Sequence, residues 1–413
     1  MKFSQFFSLL LLLSITTFFA CDDDDPVVEP PAMITTEAEL TDALNTTYEQ
    51  KKAPGFAVTI VENSEIVYQQ SFGQADMASN TPYSNSTVQP IGSISKTFIA
   101  AAIMNAIEDG LFTLDTDIND LLPFEVVNPK QPNTTIRIRD LVTHTSGLLD
   151  EDEAYWAAYH ILPGESTSSE GAQVLFSVGI DQRETRSMAD FLQSYYVPGG
   201  AFYSEDNFAA TAPGNTWNYS NIASTLAAYI VEVTTNTPFD EYVAQHILQP
   251  LGMEDATYRW SEVDPAQAAT LYWEENSPFP KYSNDSYPDG SLIVSNEDMG
   301  KYMLDMIRGA SGQSTTLFSQ ATYQQMFTTL LPEGVVSADA TENQCVFWGS
   351  SEETIYHTGG DPGIATILTF DRTGQSGIYV AANMDATTDV HEDAYTEFIN
   401  QVLFQVLSFM QNN

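Results

Sequence analysis

Two side chains suited to acyl transfer lie three residues apart in this sequence, Ser93 and Lys96. Apolar residues recur at helical spacing over 93–107 and predict a helix that begins at Ser93, so both side chains share one face of its first turn. A serine hydroxyl is a weak nucleophile that needs an adjacent base. A lysine can be that base if burial or nearby positive charge lowers its pKa, and a helix N-terminus supplies positive potential. The pair therefore predicts a serine nucleophile with a lysine base.

Scarcity strengthens this prediction, because Lys96 is the only one of seven lysines with a serine three places before it. The competing interpretation is a helix-capping serine beside a solvated lysine. Rival signatures are missing from the sequence, among them G-x-S-x-G, H-E-x-x-H, C-x-x-C, the P-loop and G-x-G-x-x-G. Residues 115–126 begin like a calcium loop, but Asp120 stands where glycine is needed and Val126 where glutamate is needed. We therefore predict no metal and no cofactor.

Strand and helix patterns around this segment define the fold class. Strands at 56–61 and 66–72 flank Asn63-Ser64 and predict a hairpin, and a helix at 295–307 opens with Ser295 as N-cap and Asp298 three places on. Further helices are predicted at 37–50, 222–234, 239–247 and 394–410, and further strands at 345–349, 354–357, 365–371 and 377–383. The residues between 154 and 207 are predicted to form a long loop. Strands near both ends enclose a helix-rich middle, so we predict an α+β fold in which helices flank an antiparallel sheet and a helix-rich lobe is added.

The segment Ile91-Gly92-Ser93-Ile94-Ser95-Lys96-Thr97-Phe98 resembles the serine β-lactamase and penicillin-binding-protein-like family, which includes class C β-lactamases, D-alanyl-D-alanine carboxypeptidases and related esterases. The family carries a Y-x-N motif and then a K/H-T-G motif, which Tyr219-Ser220-Asn221 and His357-Thr358-Gly359-Gly360 match. Tyr83-Ser84-Asn85 precedes Ser93, and Tyr282-Ser283-Asn284 lacks the Pro-Gly lead-in found at Pro213-Gly214. Leu141–Leu148 and Pro250–Met253 extend the resemblance over most of the chain from residue 37, with His144 interpreted as structural.

The resemblance implies a β-lactamase/transpeptidase-like fold and a role for each matched residue. Ser93 would form the acyl-enzyme, and Lys96 and Tyr219 would move its proton, with the choice of base left open. Asn221, His357, Thr358 and Gly359 would bind or orient substrate. The backbone N–H groups of Ser93 and Gly360 would form the oxyanion hole.

The function predicted from these motifs is hydrolysis of amides or esters, such as D-amino-acid peptides or small esters. A true β-lactamase and a non-catalytic surface binding lipoprotein on the same scaffold are the alternatives. His357 stands where the family often has lysine, and a histidine near its reference pKa of ~6.5 is mostly neutral at pH 7. We therefore expect weak recognition of free carboxylates and inefficient β-lactam hydrolysis. The substrate is a small molecule or peptide, and the oligomeric state is left open.

The N-terminus predicts export and anchoring. Residues 1–20 resemble a signal peptide, and Cys21 resembles a lipidation site. Residues 21–35 are predicted to form an acidic, proline-rich tether. The hydrolase domain would be 36–412, with an α/β lobe at about 36–92 and 300–412 and a helical lobe at about 93–299. We expect an outer-membrane or cell-surface lipoprotein, with a soluble periplasmic or secreted protein as the alternative. The net charge of −42 excludes nucleic acid as a partner and leaves a lipid anchor as the only membrane contact. The other cysteine, Cys345, is predicted to be buried and inert in a strand.

Overall fold

The computed structural model describes residues 33–51, 53–274, 277–332, 334–335, 343–385 and 389–412, so the predicted signal peptide, Cys21 and most of the tether lie outside the described residues. The strands are β1 (Gly55–Glu62), β2 (Glu65–Asp76), β3 (Thr81–Pro82), β4 (Val88–Pro90), β5 (Tyr159–Ile161), β6 (Tyr272–Glu274), β7 (Ser277–Pro278), β8 (Tyr282–Asn284), β9 (Ile293–Ser295), β10 (Asn343–Gln344), β11 (Gly349–Ser350), β12 (Thr354–Asp361), β13 (Ile364–Asp371) and β14 (Ser376–Ala382). Within these ranges the main sheet is antiparallel and has eight strands in the order β10-β11-β12-β13-β14-β1-β2-β3, so strands from the first and last parts of the described chain share one sheet.

Helices cover both faces of the sheet and fill the middle of the chain. They are α1 (Glu37–Lys51), α2 (Ser95–Glu108), α3 (Ile138–Val142), α4 (Asp152–Ala158), α5 (Glu170–Ser177), α6 (Met188–Tyr196), α7 (Asn221–Thr235), α8 (Phe239–Val243), α9 (Gln249–Leu251), α10 (Asn296–Ala310), α11 (Gln320–Met326) and α12 (Asp389–Asn412). The α+β fold class is confirmed by this arrangement. No helix within the described ranges is both long and apolar enough to cross a membrane.

The sheet is buried on both sides because alternate residues of β1 enter different cores. Phe56, Val58 and Ile60 pack with the apolar faces of α1 and α12. Thr59, between them in sequence, points the other way and donates a hydrogen bond to Asn296 at the start of α10 (2.8 Å). This period-two alternation places α1 and α12 on one face and α10 on the other.

The central helix of the other core is α2, whose residues are buried almost all round. A helix that is apolar on every side belongs in the middle of a core, and α2 packs against α7 in this way. The predicted helix start is slightly early, because Gly92–Ile94 form a 3₁₀ turn before α2 begins at Ser95. The predicted cap of α10 is confirmed, since the Ser295 side chain accepts a hydrogen bond from the Asp298 N–H (3.1 Å).

Two predictions about local structure are wrong. Residues 345–348 form a tight turn instead of a strand, because Phe347 adopts a left-handed φ of 52° and the Cys345 N–H donates to the Trp348 carbonyl (2.8 Å). Cys345 is nevertheless buried, as predicted. The segment 154–207 is not a plain loop either, since it contains α5, α6, β5 and most of α4. Its apolar residues build a small core together with Leu271, Phe279, Tyr282 and Ile364, and they also contribute to the main core.

A buried carboxylate fixes the segment before α6 to the chain that follows β8. Asp285 is fully buried and pairs with Arg183 (2.6 Å) and Arg186 (2.7 Å). The Arg186 backbone N–H also donates to Asp285 (2.8 Å). A buried carboxylate is tolerated only when it is paired and hydrogen-bonded in this way, so these contacts hold the two segments in one position.

Candidate active site

The Lys96 amine lies beside the Ser93 hydroxyl, as the spacing predicted. Lys96 is fully buried, and its Nζ donates to Ser93 Oγ (3.0 Å), to Asn221 Oδ1 (2.8 Å) and to the backbone carbonyl of Asp289 (2.7 Å). An ammonium group has three donors and no acceptor, so these contacts hold it in one orientation. The alternative of a solvated lysine is thereby excluded. Ser93 keeps part of its surface exposed to solvent, whereas the residues that follow it are buried.

Tyr219 forms the third side of this group. Lys96 Nζ lies 5.1 Å from the centre of its ring. Burial raises the pKa of Tyr219, while the positive charge of Lys96 and hydrogen bonds with Lys96 and Ser93 oppose that rise. The phenol therefore keeps its proton at neutral pH and lies within hydrogen-bonding reach of both the predicted nucleophile and the predicted base.

Asn221 is held in place by a carboxylate that the sequence analysis missed. Asp150 accepts hydrogen bonds from the Asn221 backbone N–H (2.7 Å), the Asn221 side-chain amide (2.9 Å), the Ser220 hydroxyl (2.7 Å) and the Ile222 N–H (3.1 Å). Two of the free N–H groups at the start of α7 are satisfied in this way. The contact to the amide nitrogen turns the Asn221 oxygen toward Lys96. In the sequence, the one sign of this role is that Asp150 closely follows Leu141–Leu148, a segment that resembles the family.

The His-Thr-Gly-Gly strand lies directly beside the turn that carries Ser93. Among the described residues, no strand pairs with β12 on its β11 side beyond Tyr356, and Gly92–Ile94 packs there instead. A Cβ on Gly92 would lie 2.9 Å from the Gly360 nitrogen, and one on Gly359 only 2.1 Å from the Ile91 carbonyl oxygen. Both positions require glycine for this close backbone approach, and Gly92 also has a left-handed φ of 55°. The backbone near Ser93 and the backbone of Gly360, predicted to form the oxyanion hole, are therefore neighbours.

The charge state of Lys96 differs from the expectation. Burial by itself lowers the pKa of Lys96, but Tyr219 and the buried carboxyl groups of Asp289 and Asp361 outweigh this effect, and the pKa is raised. At rest the site therefore holds a lysine ammonium and a neutral tyrosine. The idea that positive surroundings lower the lysine pKa is wrong, because the nearby ionisable groups are acidic.

His357 is neutral, as the sequence analysis expected. Burial and the charge of Lys96 lower the pKa of His357 to about 3. Its Nδ1 donates to the Thr358 carbonyl (2.7 Å), which leaves Nε2 as the unprotonated ring nitrogen. Thr358 lies on the same strand and keeps part of its surface exposed. No fixed positive charge is present at this position of β12.

Two buried carboxyl groups near Lys96, those of Asp289 and Asp361, were not predicted. Burial raises the pKa of Asp289 to about 6, against the charge of Lys96. Burial also raises the pKa of Asp361 to about 7, against a hydrogen bond from Tyr159, with the charge of Asp289 adding to the rise. Asp361 follows His357 and Gly359 at alternate strand positions, which is a signal that the sequence offered. Asp289 gave no comparable signal.

The remaining motifs have structural roles. His144 is buried, has a left-handed φ of 57°, and accepts a hydrogen bond from the Ser220 N–H (3.3 Å) with its ring 4.5 Å from that of Tyr219. Tyr83 donates to the Gln89 side chain, and Tyr282 donates to the Pro362 carbonyl (each 2.8 Å). Neither of these tyrosines is among the groups that contact Lys96. Among the residues that the structure describes, no group of three or more His, Cys, Asp or Glu side chains is arranged to hold a metal ion.

An antiparallel sheet flanked by helices, with a serine, a buried lysine and a tyrosine in one group, is the arrangement expected of a serine acyl-transfer protein. The sequence profile of the beta-lactamase family matches residues 37–400, and the chain belongs to this family. That membership supports a serine-hydrolase type of function in general.

Similar proteins agree with this assignment. PbpX of Bacillus subtilis (strain 168) is 26% identical over 364 residues, which cover 86% of this chain and 76% of PbpX. The octameric penicillin-binding protein homologue from Pyrococcus abyssi has the same fold, with a TM-score of 0.67, 21% identity and coverage of 88% of this chain and 76% of that one. A class C beta-lactamase matches with a TM-score of 0.64 and 17% identity, and the match covers 89% of this chain and 96% of that one.

Proposed function

We propose that this protein is a serine hydrolase that forms an acyl-enzyme on Ser93 and cleaves amides or esters of small molecules or peptides. One observation carries the proposal: the Lys96 amine, held by Asn221 and the Asp289 carbonyl, donates a hydrogen bond to Ser93 Oγ (3.0 Å). A purely structural role of Lys96 would not require its buried ammonium group to contact a partly exposed serine hydroxyl.

The proposed reaction has two steps. Ser93 Oγ bonds to the substrate carbonyl carbon, and its proton passes through Tyr219 or Lys96 to the leaving amine or alcohol as the old bond breaks. Water then attacks the ester, and the same groups return a proton to Ser93. Because Lys96 and Tyr219 both hold a proton at rest, the pair must lose one proton before it can accept that of Ser93. The backbone N–H groups of Ser93 and Gly360 would stabilise the oxyanion.

The electrostatics favour neutral or cationic substrates over carboxylates. His357 is uncharged, the carboxyl groups of Asp289 and Asp361 act on Lys96, and that of Asp150 lies behind Asn221. A substrate carboxylate, as in β-lactams, would meet no fixed positive charge on β12 and would be repelled by these acids. We therefore favour D-amino-acid peptides and small esters as substrates over the alternative of a true β-lactamase.

Labelling with a fluorophosphonate tests the proposal and separates it from a non-catalytic binding protein. The wild type should be labelled and should hydrolyse p-nitrophenyl acetate. The Ser93→Ala variant should lose both properties, and the matched control Ser166→Ala, at an exposed serine, should keep both. Labelling or turnover that survives Ser93→Ala would contradict the assignment of the nucleophile. A wild type that is neither labelled nor active would favour the binding protein.

We also propose that the chain is exported and held at a membrane through lipid on Cys21. The hydrophobic run before Cys21 and the acidic, proline-rich stretch after it support this proposal. Metabolic labelling with an alkyne fatty acid should mark the wild type and leave Cys21→Ala unmarked. Equal labelling of the two would refute it.

A further inference from the structure

The turn that ends α3 has a histidine at the position where helices usually have glycine. The Thr145 N–H donates to the Asp140 carbonyl (2.8 Å), and the His144 N–H donates to the Leu141 carbonyl (3.1 Å). These two hydrogen bonds form a Schellman motif, in which the residue after the C-cap is left-handed and is most often glycine. That residue is His144, with a φ of 57°. Glycine would suit this position better if it only ended the helix, which points to a use for the histidine side chain.

His144 is hydrogen-bonded to both chain neighbours of Tyr219. The Asn218 N–H donates to the His144 carbonyl (2.7 Å), and the Ser220 N–H donates to His144 Nδ1 (3.3 Å). The centre of the His144 ring also lies 4.5 Å from the centre of the Tyr219 ring, with an angle of 35° between the two planes. His144 therefore holds Tyr219 through the backbone on each side and through the aromatic ring itself.

Phe347 supports the His144 ring and is itself in an unfavourable backbone conformation. The centres of the two rings are 5.4 Å apart, and the Phe347 N–H donates to the Val142 carbonyl (2.8 Å). Phe347 is left-handed like His144, with a φ of 52°. Left-handed residues other than glycine are uncommon, persist only where the surrounding contacts fix them, and concentrate at functional sites. Two such residues are in contact here, and one of them contacts Tyr219.

The His144 ring is neutral. Burial lowers the pKa of His144 well below its usual value, and the positive charge of Lys96 adds to this effect. Because Nδ1 accepts the hydrogen bond from Ser220, the ring proton is on Nε2. A protonated ring would present an N–H group to the Ser220 N–H and lose this contact. His144 therefore acts through its position and not through an exchange of protons.

We propose that His144 is a positioning residue for proton transfer, because it holds the Tyr219 phenol within hydrogen-bonding reach of Ser93 and Lys96. This proposal deepens the proposed function and rests on it. Proton transfer in the transition state requires the acid or base to lie within hydrogen-bonding distance, and a small displacement of a reacting group can lower the rate by about a hundredfold. Loss of the His144 side chain should therefore slow acylation of Ser93 in a protein that still folds.

Two substitutions separate the histidine side chain from the turn that it occupies. His144→Gly suits the left-handed backbone and removes both side-chain contacts, so kcat/KM for p-nitrophenyl acetate should fall by about tenfold to a hundredfold. Asparagine also tolerates this backbone, and its Oδ1 can replace Nδ1 as acceptor for the Ser220 N–H. His144→Asn should therefore lose only the ring contact, and kcat/KM should fall by about threefold to tenfold.

His246 provides a matched control. Its ring is stacked on that of Tyr242, with 4.3 Å between the ring centres, and neither residue is among the groups that contact Lys96. His246→Ala removes a histidine ring from a tyrosine ring as His144→Gly does, and kcat/KM should stay at the wild-type value. Thermal unfolding of each variant shows whether it is folded at the assay temperature.

A double-mutant cycle with Tyr219→Phe distinguishes positioning of the phenol from general damage to the fold. Phenylalanine keeps the ring and lacks the hydroxyl group, so no phenol is left to position. Adding His144→Gly to Tyr219→Phe should change the rate of fluorophosphonate acylation by less than about twofold, whereas His144→Gly alone should lower it by about tenfold or more. If the glycine variant does not fold, His144→Asn takes its place in the cycle.

Two results would overturn this inference. The first is a folded His144→Gly variant that is acylated and hydrolyses esters like the wild type. The second is a cycle in which the effects of the two substitutions add in full, since His144 would then not act through Tyr219. Both results leave the proposed function intact, provided that turnover still requires Ser93. A wild type that is neither acylated nor active overturns both proposals.

Discussion

Replacing Asp150 by asparagine tests how the site is held together. Asp150 accepts four hydrogen bonds, two on each carboxylate oxygen: Oδ1 from the Ser220 hydroxyl and the Ile222 N–H, and Oδ2 from the backbone and side-chain nitrogens of Asn221. An asparagine can accept on one oxygen only, and its NH₂ group would face the other two donors. Whichever way it turns, two donors therefore lose their acceptor.

The magnitude follows from this count. A donor left without its acceptor costs about 1–3 kcal/mol, which gives about 2–6 kcal/mol for two. Asp150 is only partly shielded from solvent, so water can replace some of the lost contacts, and we expect about 2–3 kcal/mol. Activity should fall as well, because the Asn221 amide would no longer be held with its oxygen toward Lys96. We expect kcat/KM to fall by about tenfold to a hundredfold, the equivalent of 1.4–2.8 kcal/mol in the transition state.

Urea unfolding and ester hydrolysis, measured on the same preparations, are the assays. The control is Asp152→Asn, which removes the same charge from the exposed first residue of α4 and should match the wild type in both. A purely structural role would lower stability and leave kcat/KM of the folded fraction unchanged. If Asp150→Asn unfolds and hydrolyses esters like the wild type, the inference that Asp150 positions Asn221 is wrong.

Three further predictions concern charge, pH and backbone approach. His357→Lys places a fixed cation on β12 and should raise kcat/KM for a β-lactam relative to a neutral ester by about tenfold or more. The control His357→Gln should not change this ratio. A wild type that already hydrolyses β-lactams efficiently would contradict the reasoning. Because the pKa values of Lys96 and Tyr219 are both raised, kcat/KM for a neutral ester should keep increasing through pH 8 and above. If kcat/KM instead becomes constant above about pH 6.5, this prediction is wrong. Gly92→Ala forces a left-handed alanine against the Gly360 nitrogen and should lower kcat by about a hundredfold through the displaced oxyanion donors, which steady-state kinetics on folded protein would reveal.

Local sequence patterns predicted those parts of the molecule that depend on neighbours in the chain. The first hairpin was predicted from Asn63-Ser64, which both adopt left-handed φ values (50° and 64°), and the cap of α10 from Ser295. The contact of Lys96 with Ser93 followed from helical spacing alone. The strand predicted at 345–349 was wrong at Phe347, because nothing in the local sequence shows that this run of apolar residues must form a tight turn.

The parts of the site that were missed depend on contacts distant in sequence. Asp289 and Asp361 reach the neighbourhood of Lys96 only when the middle of the chain folds against β12, so their effect on its pKa could not be predicted from the sequence. The positive potential of the helix N-terminus is visible in the sequence, whereas acids contributed by distant elements are not. For Asp361 the sequence did offer its strand face, since its place two residues after Gly359 puts it on the same face as His357.

The ion pairs of Asp285 limit how far the segment before α6 can move. Swinging the segment that carries Arg183 and Arg186 away from the body of the protein would strand a fully buried negative charge, at a cost of about 3–5 kcal/mol for one lost partner. The segment before α6 is therefore expected to keep its position when substrate binds, instead of moving as a lid.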